Sequence, residues 1–316
     1  MKILVAIDFS AASQKTLDIV KSRKWPAGTT IRLLHAIDVA PFADAAAIIR
    51  ETERSVASSM QAASEHLKRE GLIIDSEVLV ESPRAGIRKY AENWNPDLIM
   101  VGCHGHSAVA RMALGSVAQS VVRSAPCSVE VLRELPREEG ASSAMRILIA
   151  ADGSACSMAA IRLVGARPWP AGTTFRVISA VPQILPIPDV STAYLRPAQV
   201  AQELRVLDRA AHERASATIA AARSLLNEFG ILQVEAAETR RGDPRSVILE
   251  EAKLWKADLI ALGSHGFHGI DRLMLGSVSE YVAAHADCSV LVARTQTEPA
   301  AEKVKKAHEL KPLLVN

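Results

Sequence analysis

Short apolar runs alternate along this chain with longer segments whose apolar positions recur at helical spacing, a pattern that predicts strands joined by crossover helices. KILVAI (2–7) reads as a first strand, and Ser10 stands where a hydroxyl can cap the helix that follows. IRLLHAI (31–37) is a second strand. Between residues 46 and 70, Ile49, Val56, Met60, Ala63 and Leu67 share one helical face, and Gly71 is placed to stop that helix. Ser82-Pro83 has the form of N-cap and first helical residue, as does Asp243-Pro244 later. DLIMV (97–101) is apolar enough for a strand covered on both faces. A last helix begins near Gly115-Ser116, and SVEVL (128–132) closes the unit. Strands separated by helices, five to a unit with four of them marked by the apolar runs above, predict a doubly wound parallel α/β sheet, with functional loops beyond the carboxyl ends of its strands.

The whole unit occurs twice. Trp25-Pro26-Ala27-Gly28-Thr29-Thr30 returns as Trp169-Pro170-Ala171-Gly172-Thr173-Thr174, an offset of 144. Farther on, PDLIMVGCHG (96–105) returns as ADLIALGSHG (257–266), and CSVEVLR (127–133) as CSVLVAR (288–294), both offset by 161. The second copy therefore carries a net insertion of 17 residues between these anchors, which the proline-rich stretch from Pro182 to Pro197 is suited to absorb. The expected organisation is one domain over residues 1–133, a polar linker over 134–144, a second domain over 145–294 and a tail over 295–316. The tail alternates charge and alanine and carries no assigned role.

Composition narrows the function classes. With 37 basic and 35 acidic side chains in 316 residues, the formal net charge is +2, so the one-sided basic field of a nucleic-acid binder is missing. Aromatic residues are only 4%, too sparse for base-stacking platforms. No apolar run approaches the ~18 residues that cross a bilayer. The opening stretch Ile3 to Ile7 is shorter than the ~7–15-residue core of a secretory signal. Cys103, Cys127, Cys156 and Cys288 show no CxxC spacing, so reduced thiols and a cytoplasmic location are expected.

The pattern that carries chemistry is Gly102-x2-Gly105-x9-Gly115-Ser116, repeated as Gly263-x2-Gly266-x9-Gly276-Ser277. Each begins where a buried strand ends and finishes where a helix begins. Glycines let backbone approach a ligand closely, and a helix N-terminus offers unpaired N–H groups and a positive dipole end. A phosphate chain is the ligand that suits such a place.

With this signature complete in both halves, and an aspartate after each first strand (Asp8 in VAIDFS, Asp152 in IAADGS), the sequence resembles the universal stress protein family in its ATP-binding branch. The resemblance covers residues 1–133 and 145–294. It implies an adenine nucleotide alpha hydrolase-like fold of strand order 3-2-1-4-5 in each half. It further implies that the final strands pair across a pseudo-two-fold axis, making one chain an intramolecular pseudo-dimer; a homodimer of such chains is left open. It places Asp8 and Asp152 near the adenosine, and Ala36 and Ala180 beside the adenine. Gly102, Gly105, Gly115 and Ser116 would wrap ribose and phosphates, as would Gly263, Gly266, Gly276 and Ser277, with backbone contacts from Val117 and Val278. ATP, alone or as its Mg complex, is the implied cofactor; no nucleic-acid or membrane partner is expected.

Plainer readings stand beside these. Asp8 and Asp152 also suit strand-end caps. Arg111 and Arg272, four residues before the third glycine, are either phosphate contacts or solvated surface cations. His104 with His106, and His265 with His268, suit loop hydrogen bonding better than metal ligation. Cys127 and Cys288 read as buried small hydrophobes, and Trp25 and Trp169 as packing anchors. No P-loop, kinase signature or paired-carboxylate motif is present, which leaves a nucleotide-dependent regulator without strong catalysis as the leading reading. A nucleotide-independent scaffold and a slow ATPase, or self-phosphorylation at Ser116 or Ser277, are the alternatives.

Overall fold

The computed structural model describes residues 1–38, 46–105, 114–134, 143–182, 197–266 and 275–295, with side chains of 46–50 and 197–201 also left aside. Arg111, Arg272, His106, His268, most of the expected linker and the tail therefore lie outside the described residues.

The first half runs β1 (Lys2–Ala6), α1 (Ala11–Ser22), β2 (Thr29–Ile37), α2 (Ala46–Leu67), β3 (Leu72–Val80), α3 (Pro83–Trp94), β4 (Leu98–Gly102), α4 (Ser116–Ser124) and β5 (Ser128–Leu132). The second repeats it as β6 (Arg146–Ala150), α5 (Ala155–Gly165), β7 (Thr174–Val181), α6 (Pro197–Glu228), β8 (Val234–Arg241), α7 (Pro244–Trp255), β9 (Leu259–Gly263), α8 (Ser277–His285) and β10 (Ser289–Ala293). Strand order is β3-β2-β1-β4-β5 in one half and β8-β7-β6-β9-β10 in the other, the 3-2-1-4-5 order twice. Every pairing within a half is parallel. The two five-stranded sheets do not stay separate: β5 and β10 pair antiparallel and join them into one ten-stranded sheet.

Helices on both faces explain why the central strands are apolar at every position. Ile3, Leu4 and Val5 have no solvent exposure, nor do Leu98, Ile99 and Met100. Alternate residues feed two cores, one on each side of the sheet, and each core includes residues of both halves. α1 and α5 start on Ser10 and Ser154, whose hydroxyls accept from Ser13 N at 3.1 Å and Ser157 N at 3.2 Å. Asp243 caps α7 in the same manner, while Ser82 makes no side-chain cap bond to α3.

Two expectations need adjustment. α2 ends at Leu67 rather than running to Gly71, and Gly71 instead supplies a left-handed turn (φ 81°) into β3. Arg69 fixes that turn by donating to Lys21 O and Arg23 O. The insertion is also not confined to the proline-rich stretch, because α6 has 32 residues against 22 in α2.

The seam between halves is dense with polar bonds arranged about a pseudo-two-fold axis. Arg133 N donates to Ser289 Oγ at 3.0 Å, and Arg294 N to Ser128 Oγ at 3.1 Å. Arg133 donates to Ala283 O in the last turn of α8 (2.6 Å), and Arg294 to Val122 O and Arg123 O near the end of α4 (2.8 and 3.0 Å). Each half thus caps the final helix of the other with a cation at its carbonyl end, where the dipole favours one.

Candidate functional site

Where β1 and β4 end side by side, the reversal of strand order opens a crevice, the usual ligand position in such sheets. A cleft of about 370 Å³ lies there in the first half, lined by Asp8, Ala36, Gly102, Gly105, Gly115, Ser116 and Val117 among others. Its counterpart in the second half is about 530 Å³ and is lined by Asp152, Ala180, Gly263, Gly266, Gly276, Ser277 and Val278. Positions spread over more than a hundred residues in each half are thereby brought together.

The glycines have steric reasons for being glycine. A Cβ on Gly105 would stand 2.3 Å from Asp8 Oδ2, and one on Gly266 2.8 Å from Asp152 Oδ2. A Cβ on Gly263 would meet Ser157 N at 2.5 Å, and one on Gly102 Thr16 Oγ1 at 2.9 Å. The strand-end loop therefore lies directly on the aspartate and on the start of α1 or α5. Gly115 and Gly276 tie it to the next helix: their N–H groups donate to Cys103 O (2.8 Å) and Ser264 O (2.7 Å).

The aspartates hold the turn and also face the loop. Asp8 Oδ1 accepts from Ser10 N at 3.0 Å and Ser10 Oγ at 2.6 Å, and Asp152 Oδ1 accepts from Ser154 N at 2.9 Å. The second oxygen of each lies against the glycine loop, so the cap reading and the cleft-facing reading describe two atoms of one side chain.

α4 and α8 differ from the capped helices in what stands at their N-termini. Gly115 and Gly276 are the N-cap residues and have no side chain with which to satisfy the first-turn amides. Ser116 and Ser277 follow as the first helical residues, exposed at the cleft. Among the described residues no side chain caps the first-turn amides of these two short helices, whose N-terminal serines line the crevice, an arrangement suited to an anion.

His104 and His265 take part in loop hydrogen bonding. His104 Nδ1 meets Cys103 Sγ at 3.1 Å and His265 Nδ1 meets Ser264 Oγ at 2.9 Å, while both Nε2 atoms are buried with no hydrogen-bond partner among the described residues. Burial, with Arg294 nearby, holds the His265 imidazole below the usual histidine value. Burial likewise raises the Cys103 thiol and pushes Cys127 and Cys288 up to about 12, consistent with buried small hydrophobes.

Some cleft residues escape the sequence reading. Pro83 and Ile87 wall the first cleft, as Pro244 and Ile248 do the second. His35 lines the first cleft, donates from Nδ1 to Ile7 O at 2.9 Å and packs against Phe9, ring centroids 4.8 Å apart. Phe9 holds a left-handed backbone (φ 59°) where the second half has Gly153 (φ 86°), and His35 corresponds to Ser179. Those mismatches at the 144 offset are the signal that the two clefts are not alike.

A doubly wound α/β tandem with a glycine-lined crevice at each switch point is the class that fold and site define. Within it, the family model described as "Universal stress protein family" matches residues 1–133 and again 144–294, and the chain belongs to that family. A universal stress protein of Synechocystis sp. is 46% identical over 55 residues, 17% of this chain and 36% of that protein. A putative universal stress protein of Staphylococcus aureus is 44% identical over 70 residues, 21% of this chain and 42% of that one. The matches thus span well under half of these relatives. Among solved structures, a universal stress protein from Archaeoglobus fulgidus superposes with a TM-score of 0.62 at 19% identity, covering 93% of this chain and 96% of that one. A putative universal stress protein from Pseudomonas aeruginosa gives 0.54 at 17% identity, covering 98% and 96%. Both share the fold. No helix among the described residues is long and apolar enough to cross a membrane.

Proposed function

We propose that this chain is an ATP-binding universal stress protein whose bound nucleotide stabilises the tandem unit and so makes its conformation or lifetime depend on ATP. The carrying observation is the pair of uncapped helix N-termini, at Gly115-Ser116 and Gly276-Ser277, opening on clefts that also hold an aspartate and glycine-thinned backbone. The first-turn amides of Ser116, Val117, Ser277 and Val278 take phosphate oxygens, with Gly102, Gly105, Gly263 and Gly266 leaving room for the chain to pass. Asp8 and Asp152 accept from the ribose hydroxyls, while Ala36 and Ala180 border the base. Arg111 and Arg272 complete the phosphate charge, and Mg arrives with the nucleotide. The expected setting is the cytoplasm, with turnover of ATP slow or nil.

Mass spectrometry of the purified chain tests this by showing retained adenine nucleotide, and calorimetric titration of stripped protein by showing ATP uptake. Replacing Ser116 and Ser277 by aspartate sets a carboxylate where each phosphate would bind, at an exposed N1 position that tolerates one. Uptake that survives in this double variant sinks the assignment.

A further inference from the structure

Strand register places Glu130 directly opposite Leu291, its own repeat equivalent, so the pseudo-two-fold axis passes between them. At this one axial position the halves differ in charge. Arg23 and Arg167 are equivalent residues, and both reach the axis. Glu130 accepts from Arg23 on Oε1 and from Arg167 on Oε2, the latter at 2.8 Å. All three are buried, with exposures of 0%, 7% and 4% for Glu130, Arg23 and Arg167. Trp25 of one half and Trp169 of the other close over the Arg167 guanidinium, with ring centroids 4.9 and 4.8 Å away.

The second half brings a guanidinium and a leucine to the axis; only the first half brings a carboxylate. Two second halves paired through β10 would bury two guanidiniums with no acid, an arrangement heavily penalised by desolvation. Two first halves would set two carboxylates directly opposite each other on neighbouring strands, with one Arg23 apiece, so neither carboxylate would have an arginine at both oxygens. Only the unlike pair gives one carboxylate an arginine at each oxygen. Because each chain contains one of each half, unlike pairing leaves no half over. Glu134 and Ser143, at the two ends of the intervening segment, border one small cavity at the seam, so the tether is short and favours the partner within the same chain.

We propose that Glu130 is a partner-selecting key: the β5–β10 seam accepts the unlike half and rejects a second copy of the like half. The Arg23–Glu130–Arg167 cluster serves this choice more than the strength of the seam, as buried ion pairs often do.

The test uses the full chain, unfolded in urea, refolded at a series of concentrations and weighed by sedimentation. Wild type returns as single chains. The charge-swapped variant Glu130→Leu/Leu291→Glu does the same, because its carboxylate has only crossed the axis. The apolar variant Arg23→Met/Glu130→Leu/Arg167→Met regains helical circular dichroism, yet its multi-chain fraction rises several-fold above wild type as concentration increases. The idea is overturned if the apolar variant returns as single chains as completely as wild type, or if the swapped variant associates as the apolar one does. Loss of helical signal in the apolar variant also overturns it, since the cluster would then be holding the fold rather than choosing the partner.

Discussion

Gly263 and Ser277 belong to one sequence motif but answer to different demands. A methyl at Gly263 would meet Ser157 N at 2.5 Å, a backbone atom that cannot step aside. Gly263→Ala is therefore expected to lower unfolding free energy by about 1–3 kcal/mol without ligand, measured by urea titration. Ser277 is exposed, so Ser277→Asp should leave that figure within about 0.5 kcal/mol. The thiols give a second residue-scale test. Cys127 and Cys288 are buried, with pKa values pushed up to about 12, so neither should be alkylated by iodoacetamide in the native chain at neutral pH. Mass mapping that finds either modified before unfolding would contradict their placement. The glycine-serine pattern, read from spacing at strand ends and helix starts, does lie along both clefts, and so do Asp8, Ala36, Val117, Asp152, Ala180 and Val278, which only the family resemblance pointed to. Phe9 and His35 were not legible, since a tilted ring contact across 26 positions has no local signature.

Elements were read most easily where burial was complete. β1 and β4 are apolar on both faces because helices cover both faces, and the eye finds such runs at once. β3 lies at the edge of the sheet with mostly half-exposed or exposed positions, so it shows no comparable run. α6 hides part of the insertion because added helical turns look like any amphipathic segment. The caps carry the prediction at this scale. Ser10 and Ser154 each hold a first-turn amide, so Ser10→Ala and Ser154→Ala should each cost about 1 kcal/mol in chemical denaturation. Ser82→Ala should cost little, because no cap bond is made there.

Across the whole molecule, the seam and the clefts set stability together. Burial alone would raise the Glu130 carboxyl, but Arg23 and Arg167 outweigh it and hold it below the ordinary glutamate value of 4.5. A carboxyl depressed on folding contributes stability above its unfolded value and loses it as pH falls through its folded one. The gap in melting temperature between wild type and Glu130→Gln should thus stay constant from about pH 8 to about pH 5 and narrow only at lower pH. Removing one member of a buried pair typically costs about 3–5 kcal/mol, so at neutral pH the gap should be many degrees. The proposed function adds a ligand contribution to this balance: at one hundred times Kd, a ligand confined to the folded state adds about 2.7 kcal/mol. Differential scanning fluorimetry should show the intact chain melting several degrees higher with ATP, and Ser116→Asp/Ser277→Asp unmoved.

Calorimetric titration of nucleotide-stripped, full-length protein with ATP goes straight to the two-cleft account. Two ATP per chain should be taken up by wild type, one by either Ser116→Asp or Ser277→Asp alone, and none by both together. Wild-type protein that takes up no ATP, or a double variant that binds as wild type does, would contradict it.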